Sequence, residues 1–399
     1  MILLPNLQKY DPYFGYARGT TGGDGGTLHT CTSAQQIADV LKAKKPDDKA
    51  IIYIPGLLDA GKFSDVEVKG QKNITFVGDG RSTSMVGIGL KLVAAENIIL
   101  FNLSIGRVNR GPKDAIGMET DCRRIVALHC DLYGDMKAGK DTYDGLFDGK
   151  RGTQEYAIVL CDVHDHHKAL LQGYSDGDTK PDNDRYFSAI LNRFRHCGSR
   201  LPSIRFGFAH VFGNLYEDIE TSGVNCRMGA QVCVELNTFR RVKNPVVAID
   251  SDLPGFWNLI DNEFQDCEYS KLGKGEASAA DGQPTCSFRP PYTLPPLSRT
   301  QCLELVQHAG LITADTVPLP GLSDEHAPQP EPPPFVPQPS EPEPAEPPQE
   351  TPAEGPSLLE RVTALVVDLQ GLPASPERDA AVMRARETRF WVKEASAEA

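Results

Sequence analysis

The sequence predicts an all-β fold, a right-handed parallel β-helix, followed by an extended linker and a small helical hairpin. Between residues 51 and 264, short runs rich in β-branched and aromatic residues recur at intervals of roughly 20 to 32 residues, which is typical of a solenoid. No helical periodicity separates the runs, and this disfavours a fold of alternating strands and helices. From residue 317 the pattern gives way to a stretch dominated by proline and glutamate.

The segment before the first run predicts a short helix. Thr32 to Gln35 has the spacing of a capping box, and the apolar residues that follow keep helical spacing to about Lys44. Such a helix can cover the open end of a stacked β structure. The glycine-rich stretch at residues 20–26 is not followed by GxxxxGK, so it does not indicate a nucleotide-binding loop.

The runs themselves share an apolar core that leads into a polar bend. Many continue into Asn or Asp, then one residue, then an apolar one, as at residues 192–194 and 237–239. Asn and Asp tolerate the left-handed backbone conformation, so we expect them to form the bends. One coil cannot bury its own apolar face, so neighbouring coils must stack, and a β-sandwich is the alternative. The runs lie at residues 51–54, 74–77, 98–101, 125–128, 158–160, 189–191, 210–212, 232–235 and 259–260.

The chain changes character after its first predicted domain, residues 1–314. Residues 315–356 cannot form a core, and we expect an extended acidic linker with a reach on the order of 100 Å. In residues 357–399, apolar positions keep helical spacing on both sides of a break at Gly371-Leu372-Pro373. This predicts a helical hairpin that is too small to be stable alone, so we expect self-association. Its end, residues 372–395, resembles small helical phage proteins that sequester cyclic-nucleotide signals, which would imply a small-ligand site, but an oligomerising hairpin is the interpretation we favour.

Charge and composition limit the partners of the chain. The formal net charge of −13 argues against a nucleic acid polymer or an anionic membrane surface as partner. No run of about 18 apolar residues is present, so we expect no membrane span. The first sixteen residues lack a basic start followed by an apolar core, so we expect no secretory signal. The ten cysteines are scattered and form no CxxC pair, so we interpret them as small core residues, with Cys286–Cys302 as the expected pair if a bridge exists.

Acidic and basic residues between positions 113 and 207 form the candidate site. On stacked coils, residues distant in sequence align side by side, so three carboxylates can converge on one ion. Carboxylate oxygens suit Ca²⁺, and fixed cations suit a polyanionic substrate. The alternatives are solvated turn carboxylates, a surface lysine and arginines in structural ion pairs. The candidates are Asp114, Asp144, Asp148, Lys168, Arg200 and Arg205.

Four short sequence motifs resemble those of a known family. DAI at residues 114–116, YDGLFDGK at 143–150, DHHK at 165–168 and RLPSIRFG at 200–207 resemble motifs of the family 1 polysaccharide lyases, the pectate lyases. The resemblance covers about residues 15–314 and implies a pectin lyase-like β-helix, with residues 288–314 packed back against the solenoid. It implies a calcium-dependent enzyme that cleaves α-1,4-linked polygalacturonate by β-elimination and leaves 4,5-unsaturated uronate ends.

The resemblance also implies roles for individual residues. Asp114, Asp144 and Asp148 would bind calcium, Lys168 and Arg205 would hold the substrate, and Arg200 would be the base. Two positions depart from the family pattern. Pro112 stands where the family often has an aspartate, which predicts weak calcium affinity before substrate arrives, and residues 126–129 read VALH where the family commonly reads WIDH.

An arginine base needs a special environment, because the guanidinium is ordinarily protonated. A calcium ion on the uronate carboxylate would acidify the C5 proton, and nearby cations disfavour one further positive charge on the arginine. We therefore expect a reaction that is favoured at alkaline pH.

Other functions remain as alternatives. A polygalacturonase needs a pair of carboxylates for general acid and base catalysis, and the arginine motif and the lack of a suitable aspartate pair disfavour it. A calcium-free pectin lyase does not need three aspartates, so their presence disfavours that enzyme. A phage tail protein or depolymerase that binds a uronate polysaccharide, with different specificity or without catalysis, is the alternative from another class. The spacing of His164, His166 and His167 fits no zinc motif. We expect an extracellular site of action, with attachment to a virion as one route there.

Overall fold

The computed structural model describes residues 6–178, residues 185–313 and Ala385. Apart from Ala385, the predicted linker and hairpin, residues 315–399, lie outside the described residues. No helix in the described part of the chain is long and apolar enough to span a membrane.

Residues 27–278 form a parallel β-helix, as predicted. Almost every coil gives one strand to each of three sheets, and all pairs between the described strands are parallel except the last, between Val246–Ala248 and Ala277–Ser278. This excludes the β-sandwich. Sheet 1 contains β1 (Thr27–Thr30), β2 (Ala50–Ile54), β4 (Lys72–Gly78), β7 (Glu96–Phe101), β10 (Arg123–Leu128), β13 (Gln154–Val159), β16 (Tyr186–Ile190), β19 (Phe208–Phe212), β22 (Gln231–Glu235) and β25 (Phe256–Ile260). Sheet 2 contains β5 (Met85–Val86), β8 (Ser104–Gly106), β11 (Asp131–Tyr133), β14 (Asp162–His164), β17 (Arg193–Cys197), β20 (Leu215–Ile219), β23 (Thr238–Val242) and β26 (Glu263–Gln265). Sheet 3 contains β3 (Val66–Lys69), β6 (Leu90–Val93), β9 (Ile116–Thr120), β12 (Phe147–Gly149), β15 (Leu171–Gln172), β18 (Ser203–Arg205), β21 (Val224–Arg227), β24 (Val246–Ala248) and β27 (Ala277–Ser278).

Two α-helices and two short 3₁₀ helices flank the solenoid in the described part of the chain. Helix α1 (Ala34–Ala43) begins after the cap residue Ser33, whose side chain accepts a hydrogen bond from Gln36 N, and it contacts β3. Helix α2 (Arg299–Val306) follows a capping box. Short 3₁₀ helices span Leu7–Tyr13 and Gly15–Ala17.

The segment after the last coil packs back on the solenoid, as the resemblance implied. Asn102 accepts a hydrogen bond from Ile312 N and donates one to Ile312 O, both at 2.8 Å. None of the ten cysteines, all of which lie in the described part of the chain, forms a disulfide, so Cys286 and Cys302 are not bridged.

A ladder of buried asparagines joins successive coils at the bend between sheets 1 and 2. Asn192, Asn214 and Asn237 are almost fully buried, and each side-chain oxygen from Asn214 onward accepts hydrogen bonds from the backbone and side chain of the previous asparagine. Asn262 continues the ladder with 3.0 Å bonds from Asn237. The ladder satisfies backbone groups that would otherwise be buried without partners.

The prediction that asparagine takes the left-handed conformation at these bends is wrong for the ladder. The residue before each asparagine takes it, with φ of 56° at Leu191, 64° at Gly213 and 56° at Leu236. The turn precedes the asparagine because its side chain has to align with the equivalent amide on the next coil.

Replacing Asn214 by alanine is expected to lower the free energy of unfolding by about 2–4 kcal/mol, because buried groups of Asn192, Asn237 and Ala189 lose their partners. Denaturation in guanidinium measures the change. The matched control is Asn109→Ala, since Asn109 is exposed and its loss should change stability by less than about 0.5 kcal/mol. Equal losses in the two variants would contradict the role of the ladder.

Candidate active site

The predicted site residues lie along one edge of the solenoid, where the loops from sheet 2 enter sheet 3. Asp114 comes just before β9, Asp148 lies in β12, and Arg200 comes just before β18. The parallel register places Asp148 beside Gly117, and Lys168 forms a bridge with Ser199 on the next coil. Stacking therefore brings together residues from four successive coils.

Asp114 and Asp148 form a buried acidic pair. One oxygen of Asp114 accepts a hydrogen bond from Lys150 Nζ at 2.8 Å, and one oxygen of Asp148 accepts a hydrogen bond from Leu171 N at 3.0 Å. The other oxygens, Asp114 Oδ1 and Asp148 Oδ2, are buried and have no hydrogen-bond partner among the described residues. Burial, and then the repulsion from Asp114, raise the pKa of Asp148 well above its usual range, and burial also raises the pKa of Asp114.

This arrangement fits a bound cation. Two buried carboxylate oxygens without partners are costly unless a positive charge meets them. Oxygen donors of this kind suit a hard divalent ion such as Ca²⁺. The donor set therefore fits calcium, with Lys150 neutralising part of the acidic charge.

Asp144 lies near this pair but is directed elsewhere. Its Oδ1 accepts a hydrogen bond from Lys168 Nζ at 2.9 Å. Burial raises the pKa of Asp144, but the hydrogen bond and the charge of Lys168 outweigh burial and lower it. Within the described residues, Asp114, Asp144 and Asp148 are not among the sets of three side chains whose donor atoms lie within 4.8 Å of one another. The three aspartates therefore lie near one another, but their donor atoms do not surround one common point.

Lys168 is held between two carboxylates. Its Nζ is 2.8 Å from Asp141 Oδ1 and 2.9 Å from Asp144 Oδ1. Burial lowers the pKa of Lys168, but the hydrogen bonds to Asp141 and Asp144 outweigh burial and raise it. Lys168 is therefore a fixed cation at the site.

Arg200 is a cation at this edge whose guanidinium is available. The residue is half-buried, has a φ of 64°, and precedes the cis peptide bond between Leu201 and Pro202. Among the residues that the structure describes, its side chain has no hydrogen-bond or ion-pair partner. Its charge adds to the effect of Lys168 that lowers the pKa of Asp144, and it offsets a small part of the burial that raises the pKa of Asp148, so the guanidinium lies close to the acidic residues.

Arg205 is more constrained than Arg200. It lies buried in β18, where its Nε contacts Asp176 Oδ1 and its Nη1 donates a hydrogen bond to Gly173 O at 2.8 Å. Arg227 lies opposite it in the register of β18 and β21, and burial and the charge of Arg205 lower the pKa of Arg227 to about 10. Two buried arginines therefore share the carboxylate of Asp176, with Arg227 Nη2 3.9 Å from it.

Sequence reasoning missed Lys150, Asp176 and Arg227 as parts of this site. Lys150 is the last residue of the YDGLFDGK motif, and its position two residues after Asp148 could have indicated that it belongs to the site. Arg227 becomes visible only from the register between coils, which the sequence does not contain.

The three neighbouring histidines do not converge. His164 bonds Asp131 and Asp165, His166 accepts a hydrogen bond from Lys168 N, and His167 Nε2 lies 3.0 Å from Ala138 O. The VALH departure is distant from this edge, because it lies at the end of β10 in sheet 1, where His129 Nδ1 lies 3.1 Å from Gly310 O. It is therefore a packing change.

The chain has extensive similarity to known proteins. A family model described as pectate lyase matches residues 7–310. A pectate trisaccharide-lyase of Bacillus licheniformis is 37% identical over 277 residues, which cover 69% of this chain and 78% of that protein. Pectate lyase B of Colletotrichum gloeosporioides is 37% identical over 282 residues, which cover 67% of this chain and 82% of that protein. A crystal structure of a pectate lyase from Bacillus sp. N165 in complex with trigalacturonate has a TM-score of 0.68 at 30% identity, and the match covers 74% of this chain and 98% of that one.

The match to the family model extends over the whole β-helix and includes the four motifs that form the site edge. Together, the family match, the identity with curated relatives and the shared fold show that this chain belongs to the pectate lyase family and is a polysaccharide lyase.

Proposed function

We propose that the chain is a calcium-dependent pectate lyase that cleaves α-1,4-linked polygalacturonate by β-elimination. The observation that carries the proposal is that an arginine with an available side chain, Arg200, lies near the buried acidic pair, whose oxygens Asp114 Oδ1 and Asp148 Oδ2 have no hydrogen-bond partner among the described residues. The printed names and titles of the relatives support the substrate class, since one is a pectate trisaccharide-lyase and another binds trigalacturonate. Such a polymer implies an extracellular site of action.

Asp114, Asp148 and Asp144 are the residues that would hold the ion. When bound there, calcium supplies positive charge at a uronate carboxylate and so makes the neighbouring C5 proton more acidic. Asp144 can turn from Lys168 toward the ion, because it is half-exposed.

Arg200 performs the proton transfer in this proposal. Its guanidine, in the neutral form, takes the C5 proton, and the electron pair of the C5–H bond becomes the C4=C5 double bond. The bond from C4 to O4 breaks, O4 leaves with its electron pair and takes up a proton from water, and Arg200 then releases the C5 proton to solvent. The reaction is favoured at alkaline pH because the base must start unprotonated.

Lys168 and Arg205 bind uronate carboxylates. Both are buried cations already held by acidic residues, Lys168 by Asp141 and Asp144 and Arg205 by Asp176. Their positions are therefore fixed before substrate arrives, which lowers the entropy lost on binding.

Incubation with polygalacturonate near pH 9 tests the proposal. The conjugated double bond of the product absorbs in the ultraviolet, so we expect absorbance to rise with calcium and to stop rising when EDTA is added. Absence of a calcium-dependent signal on polygalacturonate would contradict the proposed function.

Replacing Lys168 by methionine is expected to raise KM for polygalacturonate by roughly 10- to 100-fold, with a smaller change in kcat. A hydrogen bond to a charged group contributes about 1.5–3 kcal/mol, and the methionine retains the apolar stem. Steady-state kinetics over a range of polymer concentrations measures the effect. Lys72→Met is the matched control, because Lys72 pairs with Glu96 on sheet 1 and its loss should leave KM unchanged. An unchanged KM in Lys168→Met would show that Lys168 does not bind the substrate.

A further inference from the structure

A histidine, a cysteine and a glutamate lie together on the outer face of sheet 1. Side chains alternate along a strand, and in β22 the side chains of Val232 and Val234 pack in the core, so Cys233 and Glu235 point outward. His210 of β19 is the register partner of Cys233. The active-site edge described above lies at the entry to sheet 3, so this group is separate from it.

The donor atoms of the group are close to the spacing of a tetrahedral metal site. His210 Nε2 is 3.3 Å from Glu235 Oε2, Cys233 Sγ is 3.9 Å from the same oxygen, and all three donor atoms lie within 4.8 Å of one another. Zinc bonds of about 2.0–2.3 Å at tetrahedral angles separate N, O and S donors by roughly 3.3–3.6 Å. Small side-chain shifts would therefore complete the coordination.

We propose that His210, Cys233 and Glu235 form a second metal site, for a divalent transition-metal ion of the zinc class. Imidazole, thiolate and carboxylate are the donors that zinc uses, whereas calcium is bound by oxygen atoms alone. A cavity of about 310 Å³ adjoins His210 and Glu235 and gives room for a water as fourth ligand.

The surroundings of His210 match those of a metal-binding histidine. Such histidines hold their second ring nitrogen in a hydrogen bond, which fixes the ring. His210 Nδ1 is 3.0 Å from Tyr292 Oη, Tyr292 Oη is 2.9 Å from Ser188 Oγ, and that oxygen accepts a hydrogen bond from Tyr16 N. The chain of hydrogen bonds leaves Nε2 directed at Glu235 and Cys233.

The charges of the group are compatible with a bound cation. Metal binding at Nε2 needs the neutral tautomer of His210 that carries its proton on Nδ1, which lies 3.0 Å from Tyr292 Oη and can donate to it. The ion would displace the proton of the Cys233 thiol, with release of one proton to solvent. Arg289 borders the cavity, but its exposed side chain can turn to solvent as the ion enters.

Titration of the full chain with Co²⁺, which reports on zinc sites by its spectrum, tests the proposal. The protein is kept reduced and in excess calcium, so that oxygen-only sites are filled. We expect one equivalent of Co²⁺ to produce a thiolate-to-cobalt charge-transfer band, and Zn²⁺ to abolish the band by displacement. Absence of the band in the folded wild-type protein would overturn the proposal.

Variants assign the band to this group. Cys233→Ala is expected to remove it, and Glu235→Gln, which retains side-chain volume, is expected to weaken binding at least about tenfold. The matched control is His164→Ala, which disrupts the other group of close donor atoms, Asp131, Asp162 and His164, and should leave the band unchanged. Circular dichroism checks that each variant is folded, and a band that persists in folded Cys233→Ala would overturn the proposal.

Discussion

Replacing Arg200 by lysine is expected to lower kcat on polygalacturonate by roughly 10²- to 10⁴-fold, the range contributed by a positioned general base. Lysine retains the positive charge but not the planar guanidine or its reach, so it separates proton transfer from simple charge. KM should change much less, because Lys168 and Arg205 still bind the polymer. The measurement is the initial rate of unsaturated product in calcium at alkaline pH.

The control for this variant is Arg193→Lys. Arg193 lies on sheet 2, where it pairs with Glu217 at 3.0 Å, so its replacement should leave kcat unchanged. A kcat for Arg200→Lys within about twofold of the wild type would remove Arg200 from the chemistry.

Replacing Asp148 by asparagine is expected to lower the calcium-dependent rate by roughly 10²- to 10³-fold, because the charge that a metal ion supplies is worth several kcal/mol in the transition state. The variant is nearly isosteric with the wild type, so the fold should persist. Rates measured against calcium concentration give both the loss of rate and the weaker apparent affinity. The control Asp218→Asn removes an exposed carboxylate paired with Arg241 and should leave the calcium response intact.

Asp148→Asn lowers the rate in calcium, but when calcium is removed we expect it to make the protein more stable than the wild type as the pH rises. The folded-state pKa of Asp148 is raised, first by burial and then by Asp114, so the folded state resists ionisation of this carboxyl group. The stability that the protonated group contributes is present below the unfolded-state pKa and is lost as the pH rises through the folded-state pKa. In EDTA, thermal unfolding of the wild type should therefore shift to lower temperature as the pH rises, and Asp148→Asn should reduce this shift. Wild-type and variant unfolding temperatures that fall equally with pH would contradict the raised pKa of Asp148.

The sequence predicted some sheets better than others. Every β-rich run found by inspection lies within or overlaps a strand of sheet 1, for example residues 74–77 within β4 and residues 232–235 within β22. The strands of sheet 2 follow the polar bend and were visible as its apolar continuation. The strands of sheet 3 were missed, and two of them, β12 with three residues and β15 with two, are too short to show an alternating pattern.

The candidate site was also only partly predictable from the sequence. Short sequence motifs led to the prediction of Asp114, Asp148 and Arg200 as site residues, because their types and neighbours are distinctive. Arg227 was not predictable, since it enters the site through its register with Arg205, and register depends on how many residues each loop holds. Likewise, Asp144 was predicted as a calcium ligand from its sequence motif alone, and the motif gave no indication of the ion pair with Lys168.

Digestion of polygalacturonate in ¹⁸O-labelled water, followed by mass spectrometry of the new chain ends, tests the central claim most directly. Loss of the C5 proton to a guanidine next to a bound ion predicts unsaturated ends without ¹⁸O, formed by the wild-type protein in calcium. It also predicts their absence in EDTA and their near absence with Arg200→Lys. New ends that carry ¹⁸O, or unsaturated ends that form equally in EDTA, would contradict it.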